Sequence, residues 1–141
     1  GANVMVTKCI VLKTNGFVIT FDPATSVVKT LSNARVSGAT TYYDESGAQY
    51  QVPVNKVFIA TSLNIVVEGT GTANFELWNS TAANAASGIQ IMQDRIVQND
   101  IDYSNMPIYY EIAASRYLNI NTSNTEADKI TTSITGVEID A

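Results

Sequence analysis

The chain has no histidine. Every catalytic triad that takes imidazole as its base is thereby excluded, along with the commonest zinc ligand sets. Its single cysteine, Cys9, cannot close an internal disulfide. Cys9 lies in the apolar run from Val4 to Leu12, where a buried structural thiol is expected rather than a nucleophile. Basic residues are few and scattered: Lys8, Lys13, Lys29, Arg35, Lys56, Arg95, Arg116 and Lys129. They form no cluster, and the net charge is −5. Nucleic acid needs a concentrated positive track to displace its counterions, so it is not an expected partner. There is no Gly-x-x-x-x-Gly-Lys phosphate loop. The longest apolar-leaning stretch, residues 57–67, falls far short of the ~20 residues of a membrane-spanning helix, so membrane insertion is not expected. Gly1-Ala2-Asn3 shows neither the positive start nor the long apolar segment of a secretory leader, and none is expected.

Charge of either sign is also scarce, at 15% of residues against about 25% in an ordinary domain. Thr, Ser and Asn take its place, which suits the neutral polar surface of a β-rich protein found in assemblies or outside cells. At 141 residues the chain is long enough for one domain with its own core. Val, Ile, Thr, Tyr and Phe recur in short runs bounded by Gly, Asn, Asp and Ser, and no sustained helical period appears. The expected fold is all-β, an antiparallel β-sandwich.

Three N-terminal runs, residues 5–13, 17–21 and 27–31, are separated by Asn15-Gly16 and Asp22-Pro23-Ala24-Thr25. Asn-Gly between two apolar runs is the strongest short hairpin signal. These runs predict an N-terminal β meander packed beside the main domain, so residues 1–40 are read as a meander or attachment segment and 41–141 as the sandwich. Residues 40–43 are a candidate strand, and Asp44-Glu45-Ser46-Gly47 a turn. Across residues 57–65, Val57, Ile59, Thr61, Leu63 and Ile65 alternate with Phe58, Ala60, Ser62 and Asn64, which predicts a long half-buried strand. Gly69-Thr70-Gly71 then turns the chain toward a hairpin partner carrying Ala73, Phe75 and Leu77 inward and Trp78 on the polar face. Residues 80–87 read as a loop with a short helix over 82–86. Residues 89–92, 95–97, 107–112 and 116–121 are further strand candidates. In the last run Ile130, Thr132 and Ile134 give way to Val137 and Ile139 across Gly136, a slip of phase that marks a β-bulge.

Little chemistry survives these exclusions. Asp94, Asp100, Asp102 and Glu111 could pair for acid–base hydrolysis, but scattered surface carboxylates are expected to be solvated faces. Asp100, Asp102, Ser104 and Glu111 match four ligand places of an EF-hand loop, yet Asn105 stands where its glycine belongs and Pro107 follows. No catalytic residue, metal or cofactor is expected. The aromatics are more suggestive. Trp78, Tyr42, Tyr43, Tyr103 and Tyr109, with Tyr50 nearby, could form an oligomer interface or a platform on which sugar rings stack.

The segment Tyr50-Gln51-Val52-Pro53-Val54-Asn55-Lys56, running into Val57-Phe58-Ile59-Ala60-Thr61, resembles a turn-and-strand motif of jelly-roll virion proteins of tailed bacteriophages: head decoration proteins, head fibres and fibre knobs. That family's turn reads Val/Ile-Pro-x-Gly-Lys. A second such turn is resembled by Tyr110-Glu111-Ile112-Ala113-Ala114-Ser115-Arg116-Tyr117, and residues 134–139 are similar to the family's last strand. The turn residues that carry the likeness are Pro53, Asn55, Lys56, Ser115 and Arg116, with Asn55 and Ser115 standing where the family has Gly. The resemblance covers roughly residues 48–141. It implies a jelly-roll fold, a homotrimer, docking on a capsid or tail protein, a place on the virion surface and no enzymatic activity. The alternative expectation is a carbohydrate-binding or adhesin-like module whose partner is a host-surface glycan.

Overall fold

The computed structural model describes residues 10–14, 17–21, 25–69, 72–97, 103–124 and 127–141. They form ten strands and no helix: β1 (Ile10–Thr14), β2 (Phe17–Phe21), β3 (Ser26–Arg35), β4 (Gly38–Thr41), β5 (Lys56–Gly69), β6 (Thr72–Ser80), β7 (Ile89–Val97), β8 (Tyr103–Ile112), β9 (Tyr117–Asn124) and β10 (Ala127–Asp140). β1 and β2 form a two-stranded antiparallel sheet of their own, from Ile10 opposite Phe21 to Thr14 opposite Phe17. The other eight lie in two four-stranded sheets, ordered β3-β10-β5-β8 and β4-β9-β6-β7.

The pairing is nested. β3 pairs with β10, β4 with β9, β5 with β8 and β6 with β7, each antiparallel, so the first strand meets the last and the innermost two form the hairpin. One long antiparallel ribbon rolled on itself gives this arrangement, which is the jelly-roll sandwich. Because the roll closes by joining β3 to β10, β3 and β4 are sandwich strands, although the sequence groups them with residues 1–40. The run at residues 27–31 accordingly pairs with β10 and not with β2. The N-terminal sheet is a two-stranded hairpin, and its Asn15-Gly16 turn lies outside the described residues.

The core lies between the sheets. Leu31, Phe58, Leu63 and Ile65, with Ile130 and Ile134, meet Phe75, Leu77, Leu118 and Ile120 from the facing sheet. Burying each such side chain contributes about 1.5–3 kcal/mol. The hairpin expected between residues 57–67 and 73–78 is not formed. β6 pairs with β7 and β9, and β5 pairs with β8 and β10. The two strands face each other across the core because each presents an apolar row that only the opposite sheet can cover. The expected short helix over 82–86 is a loop instead, and the two candidates at 89–92 and 95–97 are one strand, β7.

The slip at Gly136 has a specific structural form. Along β3 the register of β10 runs without a break from Ile130 opposite Arg35 to Ile139 opposite Ser26. Along β5 it shifts, with Thr135 opposite Ser62 and Gly136 opposite Ala60. The extra residue is Thr61, in the partner strand, and its hydroxyl donates to the Thr135 carbonyl at 3.1 Å. Phe58 and Ala60 therefore face the core together with Leu63 and Ile65, not opposite to them. A Cβ at Gly136 would stand 2.2 Å from the Ile59 carbonyl oxygen and 2.6 Å from the Phe58 ring. Gly136→Ala is expected to cost about 3 kcal/mol, the upper end of overpacking, as measured by urea unfolding. Gly47→Ala, whose Cβ meets nothing within 4 Å, bears only the strain of its positive φ and loses less.

Candidate functional site

The two turns that carry the family likeness meet at one end of the sandwich. In the first, Lys56 N–H donates to Pro53 O at 3.1 Å, and Asn55 has φ +65°. In the second, Arg116 N–H donates to Ala113 O at 3.3 Å, and Ser115 has φ +66°. Both are four-residue turns whose third residue is left-handed, which is why glycine suits that place. The turns are also clasped together: Val52 N–H donates to Arg116 O at 2.9 Å and Ser115 N–H to Val52 O at 2.7 Å. Gln51 Nε2 adds a bond to Ser115 O at 3.0 Å. Lys56 forms an ion pair with Asp140 at the end of β10. Arg116 reaches β6, donating through Nε to Asn79 Oδ1 at 2.5 Å and through Nη2 to Asn79 O at 3.1 Å. The five turn residues thus form one unit that ties β5, β6, β9 and β10 together.

The aromatic residues do not share a site. Tyr42 is fully buried in the core, and its hydroxyl accepts from Thr132 Oγ1 at 2.5 Å. Tyr103 packs half-buried against the core at the start of β8. Tyr43 sits at the sheet edge, bridged to Ser32 and Gln49. Tyr109 is on the outer face of β8, where its hydroxyl donates to Glu111 Oε1 at 2.9 Å. Trp78 is half-buried on the outer face of the other sheet, and its indole N–H, shielded from solvent, has no partner among the described residues. A single stacking platform of all five is therefore corrected. Tyr42 has no exposed ring face, and Trp78 and Tyr109 point away from each other.

Trp78 nonetheless stands in a polar outer face. Its cross-strand neighbours are Asn119 on β9 and Gln90 on β7. Asn121 Nδ2 donates to Glu76 Oε1, and Gln90 Nε2 to Glu76 Oε2 at 3.1 Å. Residues 81–88 fold back over part of this face. Asn119, fully buried, donates to Ala82 O and Ala85 O, both at 2.9 Å, and accepts from Thr41 Oγ1 at 2.7 Å. Asn84, left-handed at φ +56°, exchanges two bonds with Thr41, at 2.9 and 3.1 Å.

A second polar cluster was not foreseen from sequence. Glu138 faces inward, opposite Phe58, and accepts from the Tyr50 hydroxyl at 2.7 Å. Lys29 Nζ lies 4.0 Å from Glu138 and 5.6 Å from the centre of the Tyr50 ring. Beside them Lys29, Asp44, Glu45 and Ser46 line an open pocket of about 240 Å³. Hydrogen bonds from Ser46 and Ala48 hold the Asp44 carboxyl below its usual range. Burial, and for Tyr50 the Glu138 carboxylate, push the Tyr42 and Tyr50 hydroxyls well above the ordinary value. The cluster carries one amine, three carboxylates and the Ser46 hydroxyl, which donates to Asp44 Oδ1 at 2.6 Å.

Of the acids weighed for hydrolysis or calcium, Asp100 and Asp102 lie outside the described residues. Asp94 is on β7 and Glu111 on β8, in different sheets. Among the described residues no group of three His, Cys, Asp or Glu side chains is arranged to hold a metal, and no helix is long and apolar enough to cross a membrane. No protein-family model, curated protein or solved structure matches the chain.

Two outcomes follow from this geometry. Ser115→Gly relieves a left-handed serine and is expected to stabilise the fold by about 0.5–1 kcal/mol, read as a rise in thermal midpoint. Tyr42 and Tyr50 keep their protons when folded, whereas unfolded tyrosines ionise near 10.0. The folded state then binds more protons above that pH, so their contribution is full below pH ~10 and stability falls as pH rises further. Ultraviolet titration of the phenolates should show two of the seven tyrosines ionising only with unfolding.

Proposed function

We propose that this protein is a non-enzymatic structural component of a bacteriophage particle, a trimeric capsid decoration or fibre protein carried on the particle surface. The observation that carries this reading is the clasped pair of turns at Pro53–Lys56 and Ala113–Arg116. Both resemble the family's turn, and both are left-handed at the place where the family has glycine. The nested jelly-roll pairing, an architecture that viral capsid proteins share with lectins, supports it. The role is passive: the roll supplies a rigid body, and exposed apolar side chains such as Val54, Val36 and Ile89 are available for contact with neighbouring subunits.

A second reading is favoured by one feature, Trp78 among Glu76, Gln90 and Asn121 on an outer sheet face. An indole ring flanked by amide and carboxylate groups is the chemistry that sugar-binding sites use. Light scattering and a glycan array separate the two. The structural reading expects a mass three times the 15.2 kDa chain and no glycan signal. A stable monomer at high concentration, with glycan binding lost in Trp78→Ala, would replace it with the carbohydrate-binding reading.

A further inference from the structure

Two of the most deeply buried apolar side chains do not belong to the core between the sheets. Ile59 and Val137 are 4% and 0% exposed. They sit opposite each other on β5 and β10, one residue out of phase with the inward pair Phe58 and Glu138. They therefore project from the outer face of the β3-β10-β5-β8 sheet, and the core cluster does not include them. Central residues on an uncovered sheet face keep contact with solvent. Val66, on the outer face farther along β5, is 45% exposed, and Val28, paired with Val137 on the edge strand β3, is 43% exposed. Something outside the two sheets covers Ile59 and Val137 and stops short of Val28 and Val66.

The chain supplies one candidate. β1 comes within 8 Å, Cα to Cα, of both β5, which carries Ile59, and its neighbour β8. An isolated two-stranded hairpin is marginal in water and needs an apolar surface to rest on. The segment ahead of β3 brings matching apolar character in Val4, Met5, Val6, Cys9, Ile10, Val11 and Leu12. We infer that the β1-β2 hairpin is a strap docked on the outer face of the β3-β10-β5-β8 sheet, seated on Ile59 and Val137 and bordered by Val28. The strap and its seat form a second, smaller apolar layer, independent of the core and of the virion reading. Each copy carries both halves, so the seat is an interaction surface whose occupant is the chain's own N-terminal segment.

Hydrogen exchange on the full chain tests this directly. In Ile59→Ser the amides of residues 10–14 and 17–21 are expected to exchange about tenfold faster or more, while β6 and β9 keep their protection. Val66→Ser, on the same face but beyond the seat, should leave the hairpin unchanged. Unchanged hairpin protection in Ile59→Ser would overturn the inference. If Ile59→Ser loosens the whole sandwich, the milder truncation Ile59→Ala gives the reading, because it shortens the seat without adding a polar group. Faster exchange confined to β1 and β2 supports the strap, and no change refutes it. The wild-type hairpin should also be equally protected at high and low protein concentration. Protection lost on dilution would assign the strap to a second copy and overturn the own-chain assignment.

Discussion

The register change between β5 and β10 is the constraint on which most of the structure depends. Both strands run through the middle of one sheet and must serve two apolar layers at different heights. A strand with unbroken alternation can offer only one continuous apolar face. The extra residue at Thr61 inverts β5 partway along its length. On one side of it Leu63, Ile65 and Val67 face the core while Asn64 and Val66 face out. On the other side Phe58 and Ala60 face the core while Ile59 faces out. Gly136 lets the backbones approach closely at that point, and the Thr61 hydroxyl satisfies the carbonyl that the shift leaves over.

The rest of the molecule is polar clasping around that frame. The two left-handed turns hold one end of the roll by backbone bonds that pass from Val52 to Arg116 and from Ser115 back to Val52. On the opposite sheet, Asn119 and Thr41 satisfy the backbone of residues 81–88, which lets a loop with few apolar side chains lie against a sheet face. A buried amide with every group partnered rigidifies a fold, whereas a half-satisfied one would weaken it. These clasps use neutral groups almost throughout, in keeping with a chain so poor in charge.

Strand existence was legible in the sequence because apolar alternation is a local signal, which residues 72–80 follow closely and residues 56–69 and 127–140 follow on either side of one break. Pairing was less legible. Alternation shows which residues share a face but not which strand lies alongside, so β5 and β6 looked like a hairpin when they face each other across the core. The slip at Gly136 pointed to the right place on β10, but the extra residue is in the partner strand, at a threonine that carries no turn signal. Tyr42, expected in an interface or stacking platform, is fully buried, and Glu138 faces inward although no local signal marks it. Both side chains make a hydroxyl contact with a residue far along the chain, Thr132 and Tyr50 respectively, which no local pattern signals. Of the candidate site, the turns were legible as a motif, while their clasping depended on the roll.

A cysteine-accessibility scan along β5, in a Cys9→Ser background, tests the inversion most directly. Ala60→Cys, Ser62→Cys and Asn64→Cys would be compared for their rate of reaction with a maleimide on the folded protein. The structure predicts slow reaction at 60, which faces the core, and fast reaction at 62 and 64, which face out. Equal rates at 60 and 62 would mean that β5 alternates without a break, and the account of how one strand serves two layers would be wrong.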